Sequence, residues 1–488
     1  MNQFPSTFSA LIAALTLTAS AADHFLRPQV NPSGLPVTTE NLVITYESAD
    51  AAKTAPAPAL KMLPPGKKLA ISARWDDRHP NNITMHALMT KYGWKGTFYL
   101  NDPKAEQKQE WAQDHEKKLL AGGCSVGVHG SLHRKLPELS PDEMFREIAF
   151  NRARLEANCD RPINTQAYAY GLFADKNKPE AALQISEIFF RSGLLHCVYA
   201  WSIRPEYGLR PTDRATGLQF TPGDKDTKRE NFIKGMEESL KKEWFLKTIP
   251  CIFMGVHARQ QNADWAELEA GIAKYANRPE WWYCNQNEFA ARFYEFNQAS
   301  LLRRGQDGAK VTYQARRFPA AALGDRQTLT IAAPFARLAN YRGETLKVLN
   351  PGTPEAEFEL PPVEVAAFPT LVEQVTLSKN DTSPVKLSKF PGMAVFLSYD
   401  RQSNKAILTL DPGKTLLEVA SATARLPLAW PAPGVLRKDK QVTVAMKTDF
   451  VFDLPPVVSD PGERPTLWLE IDFRRGDAAG RLHILLDK

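Results

Sequence analysis

Two adjacent carboxylates, Asp76 and Asp77, close an apolar run, and two imidazoles, His129 and His133, follow four residues apart. One carboxylate and two imidazoles can hold a metal ion while leaving coordination positions open, and a second carboxylate beside them can move a proton. These are the parts of a metal-dependent hydrolase. The acidic pair ends the run Leu69-Ala-Ile-Ser-Ala-Arg-Trp-Asp76-Asp77-Arg78. That run reads as a buried parallel strand delivering both carboxylates at its C-terminal end, where active sites of α/β barrels gather. The histidines stand in Val126-Gly-Val-His129-Gly-Ser-Leu-His133-Arg134. They follow a strand, and their spacing brings them to one side of a single turn. Each motif alone also fits a plainer reading, a solvated Asp-Asp loop or a pair of packed histidines. The two together favour a metal.

Elements able to position these groups run from Lys68 to about Ser300, where apolar runs alternate with helical patterns. Strands are expected at Leu69–Ala73, Gly96–Leu100, Cys124–Val128, Gln166–Tyr170, Cys197–Trp201, Cys251–Val256 and Trp281–Cys284. Helices are expected between them, including Gln107–Leu120 and Arg229–Leu246. One helix carries a full start signal: Ser140 as N-cap, Pro141 at the first helical position and Glu143 to complete a capping box. Such alternation predicts an α/β fold with a parallel barrel or sheet. After Leu301 the texture changes to short β-like runs, from Thr312–Ala315 to Leu482–Leu486, separated by Pro, Gly and Asp. This predicts a sandwich-like β-rich region.

With 488 residues, two or three domains are expected. The stretch Ala10–Thr18 is apolar and Ala19-Ser20-Ala21 follows it, which reads as a secretory signal cleaved near Ala21. Export to the periplasm or beyond is the expectation, with no membrane span in the mature chain. Residues 22–67 read as a lead with one β-like run, Asn41–Tyr46, and an Ala-, Pro- and Lys-rich linker. The expected division is therefore 1–21 signal, 22–67 lead and linker, 68–300 catalytic barrel and 301–488 accessory region. Net charge is only +6 without a long basic run, which argues against nucleic acid as a partner. The five cysteines form no C-x-x-C pair, so a cysteine zinc site is not expected.

On these motifs the chain resembles the polysaccharide deacetylase family, the NodB-homology domain of carbohydrate esterase family four. Arg74-Trp75-Asp76-Asp77-Arg78 is similar to its opening motif and Gly93–Leu100 to its second strand. His129 and His133 match its metal motif, and Leu139–Ile148 looks like the helix that follows. Tyr168-Ala169-Tyr170-Gly171 resembles its oxyanion loop, Phe253-Met-Gly-Val-His257 its final catalytic strand and Trp282–Phe289 its closing segment. The likeness covers about residues 68–295. It implies a distorted (β/α) barrel and a divalent metal, most simply Zn²⁺, on Asp77, His129 and His133. It further implies Asp76 as general base, His257 as general acid and the backbone N–H of Tyr170 at the oxyanion. The implied substrate is an acetylated carbohydrate.

Some positions depart from the pattern. The family's base-orienting Arg would fall at Ala167, and the Asp partner of its catalytic His near Ala200. Gly130 stands for a Ser or Thr, and Arg78 for a Gly. A divergent subfamily, or support from other residues, would account for this, with Arg74, Arg78 and His79 beside the base as candidates. Trp75, Tyr168, Tyr170 and Trp201 could stack on sugar faces, although core packing is the commoner use of such rings. Of the adjacent Trp281 and Trp282, a strand would turn at most one to a pocket. His24, His86, His115, His196 and His483 read as structural. The functional expectation is an exported metal-dependent carbohydrate deacetylase. Two rivals remain: a non-catalytic glycan-binding protein on the same fold, and a metal-dependent amidase acting on a non-carbohydrate C–N bond.

Overall fold

The computed structural model describes residues 37–102, 114–173, 180–198, 251–255, 257–258, 264–318, 327–363, 370–376, 384–387, 393–400, 402–414, 416–426, 435–438, 442–444, 446–454, 467–475 and 478–487, with isolated residues between. The signal-like segment 1–21, Ala200, Trp201, and most of the helix expected at 229–246 lie outside the described residues.

The described chain opens with β1 (Thr38–Tyr46), a helix at Ala49–Thr54 and β2 (Ala59–Lys61). Then come β3 (Leu69–Asp76), β4 (Gly96–Leu100), β5 (Ser125–Val128), β6 (Thr165–Ala167), β7 (His196–Val198), β8 (Cys251–Met254) and β9 (Trp281–Tyr283). These seven form one parallel sheet in the order β7-β6-β5-β4-β3-β8, with β9 also paired to β3. Every residue of β3 is buried, as a parallel strand covered on both faces requires. Among the described residues β7 and β8 stand at the two ends of this strand order, and most residues between them lie outside the described part of the chain.

The helix with the strong start signal runs over 141–159. Its Ser140–Glu143 capping box is formed as read. A π turn at Arg146–Phe150 turns Glu147, Ile148, Ala149 and Phe150 all inward, and the helix stops at Asp160 in a left-handed conformation. The strand expected to reach Tyr170 ends at Ala167, because Tyr170 itself adopts φ +58° inside a short 3-10 turn. Cys124, Cys159 and Cys284 are buried free thiols.

In the stretch 22–67 the expected β-like run Asn41–Tyr46 falls inside β1, and the segment that follows carries the short helix and β2. β1 pairs antiparallel with β11 (Lys310–Arg317) and β13 (Ala336–Tyr341), after β10 (Ser300–Asp307) and β12 (Leu329–Pro334) enter in chain order. β2 pairs with β12, which also holds β15 (Glu355–Leu360), while β14 (Glu344–Leu346) edges β13. Leu42, Ile44 and Tyr46 alternate inward along β1 and share one apolar cluster with Val311, Ile331 and Phe358. Burying that face requires partners from far along the chain.

Residues 370–487 form two further sheets around a third cluster. One is β16-β25-β24-β20-β21, from β16 (Thr370–Thr376), β20 (Leu417–Arg425), β21 (Val435–Lys438), β24 (Leu467–Arg475) and β25 (Ala478–Asp487), with β22 (Val442–Val444) also paired to β20. The other is β17-β18-β19-β23, from β17 (Val385–Leu387), β18 (Ala394–Asp400), β19 (Lys405–Asp411) and β23 (Thr448–Asp453). Trp468 and Leu485, fully buried, pack into the α/β core rather than this one. The β-rich region after Leu301 thus contributes to two apolar clusters, one shared with the N-terminal strands and one lying beside the α/β core. Among the described residues no helix is long and apolar enough to cross a membrane.

Candidate metal centre

β3 carries the acidic pair to the C-terminal edge of the sheet, as the sequence predicted. Asp76 is the last strand residue, and the backbone turns at Asp77 with φ +69°. Asp tolerates that left-handed conformation better than most residues. Asn82 Nδ2 holds the turn by donating to the Asp77 carbonyl at 2.9 Å. The two side chains therefore part company. Asp76 is almost wholly buried, whereas Asp77 faces the histidines.

Asp77 Oδ1 lies 3.2 Å from His129 Nε2 and 3.0 Å from His133 Nε2. The three candidate ligand atoms all fall within 4.8 Å of one another. The donor set of one carboxylate and two imidazoles suits a divalent ion such as zinc. His129 Nδ1 donates to the Ala167 carbonyl at 2.9 Å, which fixes the ring with Nε2 toward Asp77. Burial alone would raise the Asp77 carboxyl, but hydrogen bonds from His129 and His133 outweigh it and hold it far below the usual range. Burial alone would lower His129, and the Asp76 and Asp77 carboxylates overcome this and raise it.

Gly130 accounts for one departure from the expected motif. Its φ is +84°, and a Cβ there would meet Glu147 Oε2 at 2.8 Å. Glu147, itself buried, clamps the histidine loop from the π turn. It accepts from Leu132 N at 3.0 Å and from Arg134 Nε at 3.0 Å, and its carbonyl accepts from Ser131 N at 3.1 Å. The ring of Tyr170, 60% exposed, lies 4.7 Å from that of His133, so the left-handed turn at 169–171 faces the centre.

Arg74 pairs with Asp76. Its Nε donates to Asp76 Oδ1 at 2.8 Å and its Nη2 to Asp76 Oδ2, both side chains being at most 4% exposed. Strand alternation puts Arg74 and Asp76 on one face, so this partner was readable from a spacing of two. The same alternation turns Trp75 away: it is buried in the core with Nε1 donating to Met89 Sδ, so it is not available to a sugar. Tyr168 is buried against Phe173 and likewise excluded. Arg78 reaches away from the centre, to Glu116 at 2.6 Å and the Asn101 carbonyl at 2.8 Å. His79 Nδ1 accepts from Asn81 N at 3.2 Å, a local turn bond.

His257 arrives from the loop after β8, where it bridges the backbone of Asp76. Gly255 permits the approach, since a Cβ there would meet the Arg74 carbonyl at 2.7 Å. His257 Nε2 is 3.6 Å from Asp77 Oδ2 and the side chain is 25% exposed. Asp76, Asp77, His129, His133, Tyr170 and His257 thus come together at one sheet edge. Asp76 and His129 are buried there, Asp77, His133 and His257 are partly exposed, and Tyr170 is exposed.

Residues 65–184 match the family model for polysaccharide deacetylase, as the motifs implied. His257 lies beyond that match and rests on its own geometry. No curated protein matches the chain. Among solved structures, the carbohydrate esterase family four domain of a multidomain xylanase from the hindgut metagenome of Trinervitermes trinervoides is 11% identical, with 45% of this chain and 89% of that chain covered at a TM-score of 0.32. The catalytic domain of peptidoglycan N-acetylglucosamine deacetylase from Eubacterium rectale is 13% identical, with 45% and 90% covered at 0.32. A family four pseudoenzyme from Bacillus anthracis is 15% identical, with 43% and 61% covered at 0.27.

Proposed function

We propose that the protein is an exported metal-dependent deacetylase that removes acetyl groups from a carbohydrate, on a distorted (β/α) barrel. The observation that carries the reading is the division of labour in the acidic pair. Asp77 shares a ligand triangle with His129 and His133, while Arg74 holds Asp76 out of it. A divalent ion, most simply Zn²⁺, would sit on Asp77, His129 and His133, and when bound it would polarise the acetyl carbonyl and acidify water.

The chain's own residues do the rest. Asp76, fixed by two bonds from Arg74, takes the proton of the attacking water; general base catalysis of this kind is worth on the order of 10²–10⁴ in rate. The Tyr170 backbone N–H, on the turn beside His133, donates to the oxygen that gains charge. His257, partly exposed beside the other carboxylate oxygen of Asp77, gives a proton to the leaving nitrogen or oxygen. The Tyr170 ring offers an exposed apolar face next to the ligands for the glycan.

Acetate release from chitin oligomers, peptidoglycan and acetylated xylan tests this. Turnover on one of these, lost in Asp76→Asn, supports the deacetylase. Binding without turnover favours the glycan-binding rival, and turnover confined to small non-carbohydrate amides favours the amidase.

A further inference from the structure

Helix 151–159 stands between the histidine loop and the C-terminal sheet, and it bonds to both. Toward the centre, Asn151, fully buried, accepts the His129 backbone N–H at 3.1 Å and donates to Asp102 Oδ1 at 3.0 Å. Asp102 pairs through Oδ2 with Arg154 Nη1, and Arg154 Nη1 also donates to Ser131 Oγ at 3.2 Å. The Asp102 backbone N–H reaches the Ser131 carbonyl at 3.0 Å. Both sides of Gly130 are therefore held by this helix. Toward the C-terminal sheet, Arg154 Nη2 donates to Gln374 Oε1 on β16 at 2.7 Å.

The other face of the helix fixes how that sheet sits. Glu156 Oε2 bonds His483 Nε2 at 2.7 Å, while His483 Nδ1 accepts from Trp468 Nε1 at 2.9 Å. An Nδ1 that accepts an N–H carries no proton, so His483 is a neutral Nε2–H donor to Glu156. Arg152 bonds Glu156 at 2.9 Å and lies over the Trp468 ring, and Arg425 covers the same ring. Glu156, Glu470 and His483 converge like metal ligands, but Arg152, Arg425 and Arg481 fill the cluster with positive charge. It is an ion-pair weld between the two units, not a second metal centre.

Resting on the proposed ligand set, we infer that Asn151, Asp102 and Arg154 are positioning residues for the His129–His133 loop, and that the C-terminal sheet completes this relay through Gln374. The C-terminal unit is then a working part of the centre rather than a detachable glycan-binding module. Residues that orient metal ligands typically contribute about 10–100-fold to metal affinity.

Zinc affinity of the full-length protein, measured by competition with a chromophoric chelator well below the melting temperature, tests the relay without reference to turnover. Asn151→Ala and Arg154→Ala should weaken binding by about 10-fold or more, Asp102→Asn should act in the same direction, and Gln374→Glu should preserve it. Gln374→Ala should weaken it by about threefold, within the range of one lost hydrogen bond. Circular dichroism melts confirm that each variant is folded at the assay temperature; where Asn151→Ala is not, Asp102→Asn and Gln374→Ala decide. Wild-type affinity in Asn151→Ala and Arg154→Ala overturns the relay, and wild-type affinity in Gln374→Ala overturns its C-terminal link. Asp77→Ala run alongside separates the two failures: if it too binds zinc normally, the ligand set itself is wrong.

Discussion

Replacing Arg74 by Ala removes two charge-assisted hydrogen bonds from Asp76 and leaves a carboxylate buried without its fork. Bonds to charged groups contribute about 1.5–3 kcal/mol each, and removing one partner of a buried pair costs about 3–5 kcal/mol. Arg74→Ala should therefore melt well below the wild type. Arg74→Lys keeps the positive charge but cannot hold both oxygens at once, so it should melt closer to the wild type. The chemical penalty is separate. If orientation of Asp76 is what Arg74 supplies, much of a base contribution on the order of 10²–10⁴ is at stake. The expected losses in kcat are about 100-fold for Arg74→Ala and about 10-fold for Arg74→Lys, with KM within about threefold because no ground-state contact is removed. Steady-state acetate release reads both constants, below the melting temperature of each variant. Zinc affinity should hold, since the three ligand side chains are unchanged. Wild-type kcat in Arg74→Lys and Arg74→Ala, alongside an inactive Asp76→Asn, would refute the reasoning.

Three further outcomes are expected. His257→Ala should lose about 100-fold on an N-acetyl substrate but only about threefold on an activated acetyl ester, whose leaving group needs no proton; equal losses on both would remove His257 as the acid. Gly130→Ala should lower the melting temperature and weaken zinc binding, because the new Cβ meets Glu147 Oε2 at 2.8 Å on a backbone with φ +84°, a strain of about 1–3 kcal/mol; an unaltered melt contradicts that reading. Glu156 should make stability acid-sensitive. Burial alone would raise its carboxyl, yet Arg152 and His483 outweigh burial and hold it well below its ordinary 4.5. A depressed folded value contributes stability above pH 4.5 that is lost as pH falls below it. Glu156→Gln should therefore be less stable than the wild type at neutral pH and converge with it in acid, as chemical denaturation across that range would report.

The centre was the most legible part of the chain because its chemistry is local. A carboxylate pair at a strand end and two histidines on one turn need few residues to specify, and the neighbouring strands bring them together without distant help. The Ser140–Glu143 cap was equally local and formed as read. Arg74 was nominated only as a neighbour of the base, although period-two alternation from Asp76 places it on the same face. Trp75 was offered to substrate where the same alternation sends it into the core. The long-range contacts were less legible. Nothing near Leu42 announces that it will face Tyr313 and Tyr341, and nothing near Trp468 announces that it will pack into the α/β core. Pairing across such separations is set by which buried faces are left to cover. The β-like run at Asn41–Tyr46 could therefore be read as a strand, but not its partners.

Acetate release from an acetylated glycan, followed in the wild type with and without a chelator and in Asp77→Ala, tests the central claim most directly. Chelation should abolish release, added Zn²⁺ should restore it, and Asp77→Ala should be inactive under every condition. Release that survives both chelation and Asp77→Ala would contradict it.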